Sequence, residues 1–192
     1  MGAEANVDDL EAYRWMEPSG MPDAYCVSVA IGAGVADVVA AFACDLGSRC
    51  LATFDQQWDL ATPYPEGGGN DTVSIDEVPG AVICAELNGW AGVSDERASL
   101  LSRRGRYVSV YRNVNAVMQV LFADAGDVVR SFDPLLYDPE GAISEEQGLP
   151  FGHPGSPGMA QFVLMERLTG VRLTREWLLD TPHPTYRRDP SV

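Results

Sequence analysis

Residues 106–132, RYVSVYRNVNAVMQVLFADAGDVVRSF, decide the fold. Three runs rich in Val, Tyr, Phe and Leu are separated by two polar breaks, Asn113-Val114-Asn115 and Asp124-Ala125-Gly126-Asp127. β-Branched and aromatic side chains favour a pleated strand, and Asn, Asp and Gly supply tight reversals. The spacing predicts strands over Arg106–Arg112, Ala116–Ala123 and Val128–Phe132. Turns this short join antiparallel neighbours, so the segment reads as a β-meander.

Outward from the meander, the same logic continues in both directions. Ser94-Asp95-Glu96 opens a short helix with a capping hydroxyl and early acids, and Arg103-Arg104-Gly105 closes it. Before it, Thr72–Val78 and Ala81–Leu87 flank the turn dipeptide Pro79-Gly80 and read as a hairpin. The apolar run YCVSVAI, Tyr25–Ile31, reads as a strand, followed by the turn Gly32-Ala33-Gly34 and a helix over Ala36–Leu46. Cys50–Phe54 is a short strand candidate. After the meander, residues 133–157 hold five prolines and read as irregular. Gly158–Leu168 is an amphipathic helix, and Thr174–Leu179 reads as one more helical turn. The expected fold is α+β: a single, mostly antiparallel sheet with a C-terminal meander, packed by two to four helices. The whole chain, 1–192, reads as one domain. Within it, 1–22 is an N-terminal segment, 61–71 a flexible Gly/Pro loop, 133–157 an irregular stretch, and 181–192 a loose tail.

Charge narrows the function. The net charge is −15, and all 13 basic residues are arginine. A chain without lysine has no Schiff-base lysine, no P-loop lysine and no kinase-type ATP lysine. Residues 1–96 hold 17 acids against Arg14 and Arg49, whereas residues 97–192 hold 11 acids and 11 arginines. Such a field disfavours nucleic acid and anionic membranes, and it favours a basic protein partner or serves solubility alone. No apolar run approaches the roughly 20 residues that span a bilayer. The N-terminus is acidic rather than signal-like, so the chain reads as cytoplasmic. Cys26, Cys44, Cys50 and Cys84 form no C-x-x-C pair and read as reduced, buried small residues, although spacing alone leaves a Cys44–Cys50 bridge open.

Motifs that suggest a cofactor fail on inspection. In the strand–GAG–helix segment, Asp37 stands where a dinucleotide pyrophosphate would sit, and suits a helix-start acid instead. Aligning Gly141 with the calcium-loop glycine puts Leu136 and Gln147 where carboxylates are required. His153 and His183 are isolated in expected loops, far from any zinc-binding cysteine pair. No cofactor or metal is expected, and no catalytic residue is identified.

What remains is a set of polar residues in awkward places. Glu86 interrupts the face of Val82 and Cys84, and Arg112 interrupts that of Val108 and Val110. A charge on an apolar strand face demands a partner, which predicts a Glu86–Arg112 ion pair across neighbouring strands. Asn88, Trp90, Asn113 and Asn115 stand at the ends of those strands, as recognition groups or as turn and core residues. In the acidic half, Asp55, Asp59, Asp76 and Glu77 are the candidates for steering a basic partner, with Trp58 or Trp90 as apolar anchors.

The run VICAELNGWAGVSDERASLLSRRGRYVSVYRNVNAVMQVLFADAGDVVRSFDP, with its NGW and NVNA signatures, resembles an uncharacterised actinobacterial family, a numbered domain of unknown function. ERLTGVRLTREWL resembles the family's C-terminal segment. The resemblance implies an actinobacterial cytosolic protein and transfers no catalytic residue. The long loop around Gly67–Asn70 departs from the pattern. Two functions follow as expectations: a non-catalytic, immunity-type or assembly-partner protein using its acidic half, or an enzyme or small-molecule binder near Glu86, Trp90, Arg112 and Asn115.

Overall fold

The computed structural model describes residues 7–16, 20–62, 70–153 and 157–189. Eight strands form one antiparallel sheet: β1 (Tyr25–Ile31), β2 (Cys44–Ala52), β3 (Thr72–Val78), β4 (Ala81–Leu87), β5 (Arg106–Arg112), β6 (Met118–Asp124), β7 (Asp127–Phe132) and β8 (His183–Arg188). Their spatial order is β2-β8-β3-β4-β1-β5-β6-β7. Helices α1 (Val7–Glu11), α2 (Val35–Ala41), α3 (Gln57–Leu60), α4 (Asp95–Leu101) and α5 (Pro157–Thr169) complete the α+β fold. No helix among the described residues is long and apolar enough to cross a membrane.

The central strands β1 and β4 are buried on both faces, which is why their sequences run apolar without alternation. On one face, Tyr25, Val27, Val29, Ile83, Val108, Val110 and Val120 pack with Phe162, Leu164 and Met165 of α5. On the other, Ala30, Val73, Ile75, Val82, Cys84, Tyr107 and Leu121 pack with Val38 and Val39 of α2 and Ala98 and Leu101 of α4. Helix α4 starts as its sequence dictates, with the Ser94 hydroxyl accepting the Arg97 N–H. Asp37 is the expected helix-start acid: its carboxylate accepts the Gly34 N–H at 3.0 Å.

Three expectations are corrected. The helix predicted over Ala36–Leu46 ends at Ala41; Ala43 takes a left-handed φ of 51°, and β2 begins at Cys44 and runs through the Cys50–Ala52 part of the short strand expected there. The tail expected to be loose from residue 181 contributes β8, an interior strand between β2 and β3. Pro184 is tolerated there because the β3 ladder reaches only to Thr185, so its missing N–H is not needed. His183, expected in a surface loop, is 3 % exposed. Its ring nitrogens lie 2.7 Å from Asp76 Oδ2 and 2.6 Å from the Trp177 carbonyl oxygen, and its ring stacks on Trp177. Of the loop expected to be flexible over 61–71, residues 63–69 lie outside the described residues, while Asn70 and Asp71 are buried. Residues 1–6 and 17–19 of the N-terminal segment and 190–192 of the tail also lie outside them.

Candidate functional site

Glu86 and Arg112 do not pair. β1 stands between their strands: Glu86 is opposite Cys26, and Arg112 is opposite Tyr25. Cys26 and Tyr25 point to opposite faces, and so do the two charges. Glu86, 1 % exposed, instead accepts the N–H groups of Ala91 at 3.0 Å and Gly92 at 2.8 Å and reaches Arg188 at 3.4 Å. The carboxylate therefore folds its own downstream loop back over the sheet.

The sequence Asn88-Gly89-Trp90-Ala91-Gly92 fits that task residue by residue. Asn88 takes a left-handed φ of 52°, which asparagine tolerates better than most residues. A Cβ on Gly89 would approach Glu86 Oε2 to 2.6 Å, and one on Gly92 would overlap Ser28 Oγ and meet Cys26 Sγ at 2.7 Å. Arg97 donates to the Ala91 carbonyl and Tyr107 to that of Gly92, so this turn is held from every side. What the loop leaves outside is Trp90, 52 % exposed. Asn113 spends its side chain on the β5–β6 turn, accepting the N–H groups of Asn115 and Val117. Asn115 is exposed at that turn.

A second element, α3, lies against β3 and β4 in a stretch to which the sequence assigned no helix or strand. The β3–β4 ladder begins at Ser74↔Ala85. Beyond it, the fully buried Gln57 side chain donates to Ser74 Oγ at 2.9 Å and to the Ala85 carbonyl at 3.0 Å, and accepts the Leu87 N–H at 3.0 Å. A side-chain amide thus substitutes for the missing backbone partner and fixes α3 to the sheet. Trp58 and Leu60 face out, 61 % and 37 % exposed. Asp55 and Asp59 flank Trp58, both exposed, and their carboxylates meet no hydrogen-bond or ion-pair partner among the described residues. Beside α3, a groove of about 330 Å³ is lined by Cys50, Asp59, Leu60, Thr72 and Arg187. Asp76 and Glu77 do not join this group. The Asp76 carboxylate is held by His183, and Glu77, the next residue, projects from the opposite face of β3.

A family model described as a family of unknown function (DUF6461) matches residues 5–143, well over half of the chain. The chain belongs to DUF6461. No curated protein and no solved structure matches it. The match takes in both rigid elements, Gln57 with α3 and Glu86 with its loop, but stops before β8. Arg188 and His183, which complete the surroundings of Glu86 and Asp76, therefore lie beyond the part of this DUF6461 chain that the family model matches.

All four cysteines are free. Burial, reinforced by the Glu86 carboxylate, pushes the Cys26 and Cys84 thiols far up, and burial pushes Cys44 up to about 12, so none of these three is an activated nucleophile. No group of three or more His, Cys, Asp and Glu among the described residues is arranged to hold a metal. The sequence reading named Glu86 for the right reason, a charge that must be satisfied, and missed Gln57. A polar residue beside Trp58 in an unpatterned segment carried no signal of its burial.

Proposed function

We propose that this protein is a non-catalytic binding protein, of the immunity or assembly-partner type, that engages a basic protein surface through α3. The carrying observation is Trp58, exposed between the carboxylates of Asp55 and Asp59, which have no partner among the described residues, and held in place by Gln57. An aromatic on a rigid element loses little entropy on docking, and adjacent free acids complement a basic partner. The acidic first half extends that field. Free thiols and lysine-free composition support an actinobacterial cytoplasmic setting.

The test starts with a pull-down from the native host at low and high salt and proceeds to kinetics with the purified partner. Asp55→Asn with Asp59→Asn should slow association toward the unsteered ~10⁵–10⁶ M⁻¹s⁻¹ and flatten the salt dependence. Trp58→Ala should speed dissociation by about 30-fold, the size expected of an anchoring aromatic. Unchanged kinetics in both variants would remove α3 from the interface. The second reading, an enzyme or small-molecule binder near Glu86, Trp90, Arg112 and Asn115, is favoured by one observation: the Nε of Arg112 is buried without a hydrogen-bond partner.

A further inference from the structure

Three buried polar atoms without a hydrogen-bond partner lie where α5 packs on β1 and β5. Tyr25 is 1 % exposed, and its hydroxyl makes no hydrogen bond. Arg112 stands directly across from it in the β1–β5 register, with a buried, unbonded Nε. Gln161, fully buried on α5, donates its amide to the carbonyls of Tyr111 and Gln119 at 3.4 and 3.2 Å. That fixes its Oε1 as an acceptor, and the oxygen is unbonded. Gly158, in the first turn, brings the helix backbone over the phenol: the Cβ it lacks would lie 3.7 Å from the Tyr25 hydroxyl.

One orphaned buried polar atom costs about 1–3 kcal/mol, so three in one place ask for a common explanation. Arg112 is also out of step with the other partly buried arginines. Arg130, Arg167 and Arg188 each hold a carboxylate, and Arg97 holds two backbone carbonyls. Among the described residues, the Arg112 side chain is the one of these five that holds neither a carboxylate nor a backbone carbonyl.

We infer that Tyr25, Arg112, Gln161 and the first turn of α5 form a binding site for a small carboxylate carrying an adjacent O–H or N–H donor, as a 2-hydroxy or 2-amino acid does. The guanidinium and the phenol both donate and so match a carboxylate. The N-terminal end of the 13-residue α5 adds a field of the same sign. Gln161 Oε1 is the one acceptor and meets the ligand's donor, which distinguishes this class from a bare carboxylate or a phosphate dianion. Burial holds the Tyr25 phenol protonated well above the usual tyrosine range, against the opposing pull of Arg112, so it remains a donor. This site is on the α5 face of the sheet and is independent of the Asp55–Trp58–Asp59 surface.

The experiment is calorimetric titration of the full chain with L-lactate, L-alanine, acetate and inorganic phosphate, with thermal shifts in parallel. L-Lactate or L-alanine should bind in the millimolar range or tighter, and acetate about tenfold more weakly for want of the donor. Tyr25→Phe should raise the melting temperature of the unliganded protein, because it deletes a buried unpaired hydroxyl, and should weaken binding at least about tenfold. Arg112→Gln should abolish binding. Gly158→Ala places a methyl in ordinary contact with the phenol, so the fold should persist while the ligand is displaced. The proposal is overturned if neither acid binds, if acetate or phosphate binds as well as lactate, or if Tyr25→Phe leaves affinity unchanged or destabilises the unliganded protein. Should Tyr25→Phe fail to fold, Gly158→Ala decides: undiminished binding in that variant overturns the site.

Discussion

Replacing Glu86 by alanine tests the account of the Asn88–Gly92 loop. The carboxylate is 1 % exposed and serves two backbone N–H groups and one guanidinium whose side chain is 13 % exposed. Each charge-assisted hydrogen bond is worth about 1.5–3 kcal/mol, and removing one member of a buried ion pair costs about 3–5 kcal/mol. These contributions overlap, so the expected loss is about 4 kcal/mol, a large share of the ~5–15 kcal/mol that holds a domain together. At this chain length that corresponds to a fall in Tm of roughly 10 °C. Urea unfolding followed by tryptophan fluorescence and far-ultraviolet circular dichroism would measure it. A double-mutant cycle assigns the partner: Glu86→Gln should couple to Arg188→Met by more than about 0.5 kcal/mol and to Arg112→Met by less. A larger coupling to Arg112, or a Glu86→Ala cost below about 1 kcal/mol, would refute the reasoning.

Further outcomes follow from the same contacts. Gln57→Leu leaves the Leu87 N–H and the Ala85 carbonyl without partners in the interior and should cost about 2–4 kcal/mol by urea melts, with α3 losing amide-exchange protection first. Gly92→Ala drives a methyl into Ser28 and Cys26 and should cost about 1–3 kcal/mol, whereas Gly80→Ala meets no atom within 4 Å and should cost only the strain of its φ of +82°. Stability should fall as pH rises. Cys26, Cys84 and Cys44 are held protonated above the ordinary thiol value of 9.0, so the unfolded chain releases protons that the folded chain keeps. Their stabilisation is complete below about pH 9 and lost toward pH 12, at up to ~1.4 kcal/mol per pH unit per group; a flat Tm between pH 8.5 and 10.5 would contradict this.

The meander, the β3–β4 hairpin and the Ser94-capped helix were legible because each is local: alternation, turn chemistry and capping act within a dozen residues. Strand order was not. Glu86 was placed on the face of Val82 and Cys84 and Arg112 on that of Val108 and Val110, and both placements hold. The error was to make β4 and β5 neighbours. β1, some 50 residues upstream of β4, inserts between them and turns the two faces away from each other. β8 escaped notice for a related reason. HPTYRR looks like a polar tail until Thr185 and Tyr186 are seen packing between β2 and β3, and no local pattern announces a partner more than a hundred residues away.

The acidic first half takes on a different meaning once its carboxylates are followed to their partners. Asp37, Asp45, Asp71 and Glu86 each accept backbone N–H groups at helix starts, turns or the loop over the sheet. Asp76 holds His183, and Asp9 holds Arg167. Short acidic side chains suit such work because they accept strongly and span one or two residues, which is the need of a segment rich in tight reversals. Part of the charge asymmetry is therefore architectural. Among the described residues, the acids free to meet a partner reduce to a few exposed groups, Asp55 and Asp59 among them. Among the described residues, these two flank an exposed aromatic that a buried glutamine holds in place, and the proposed steering of a basic partner would end there.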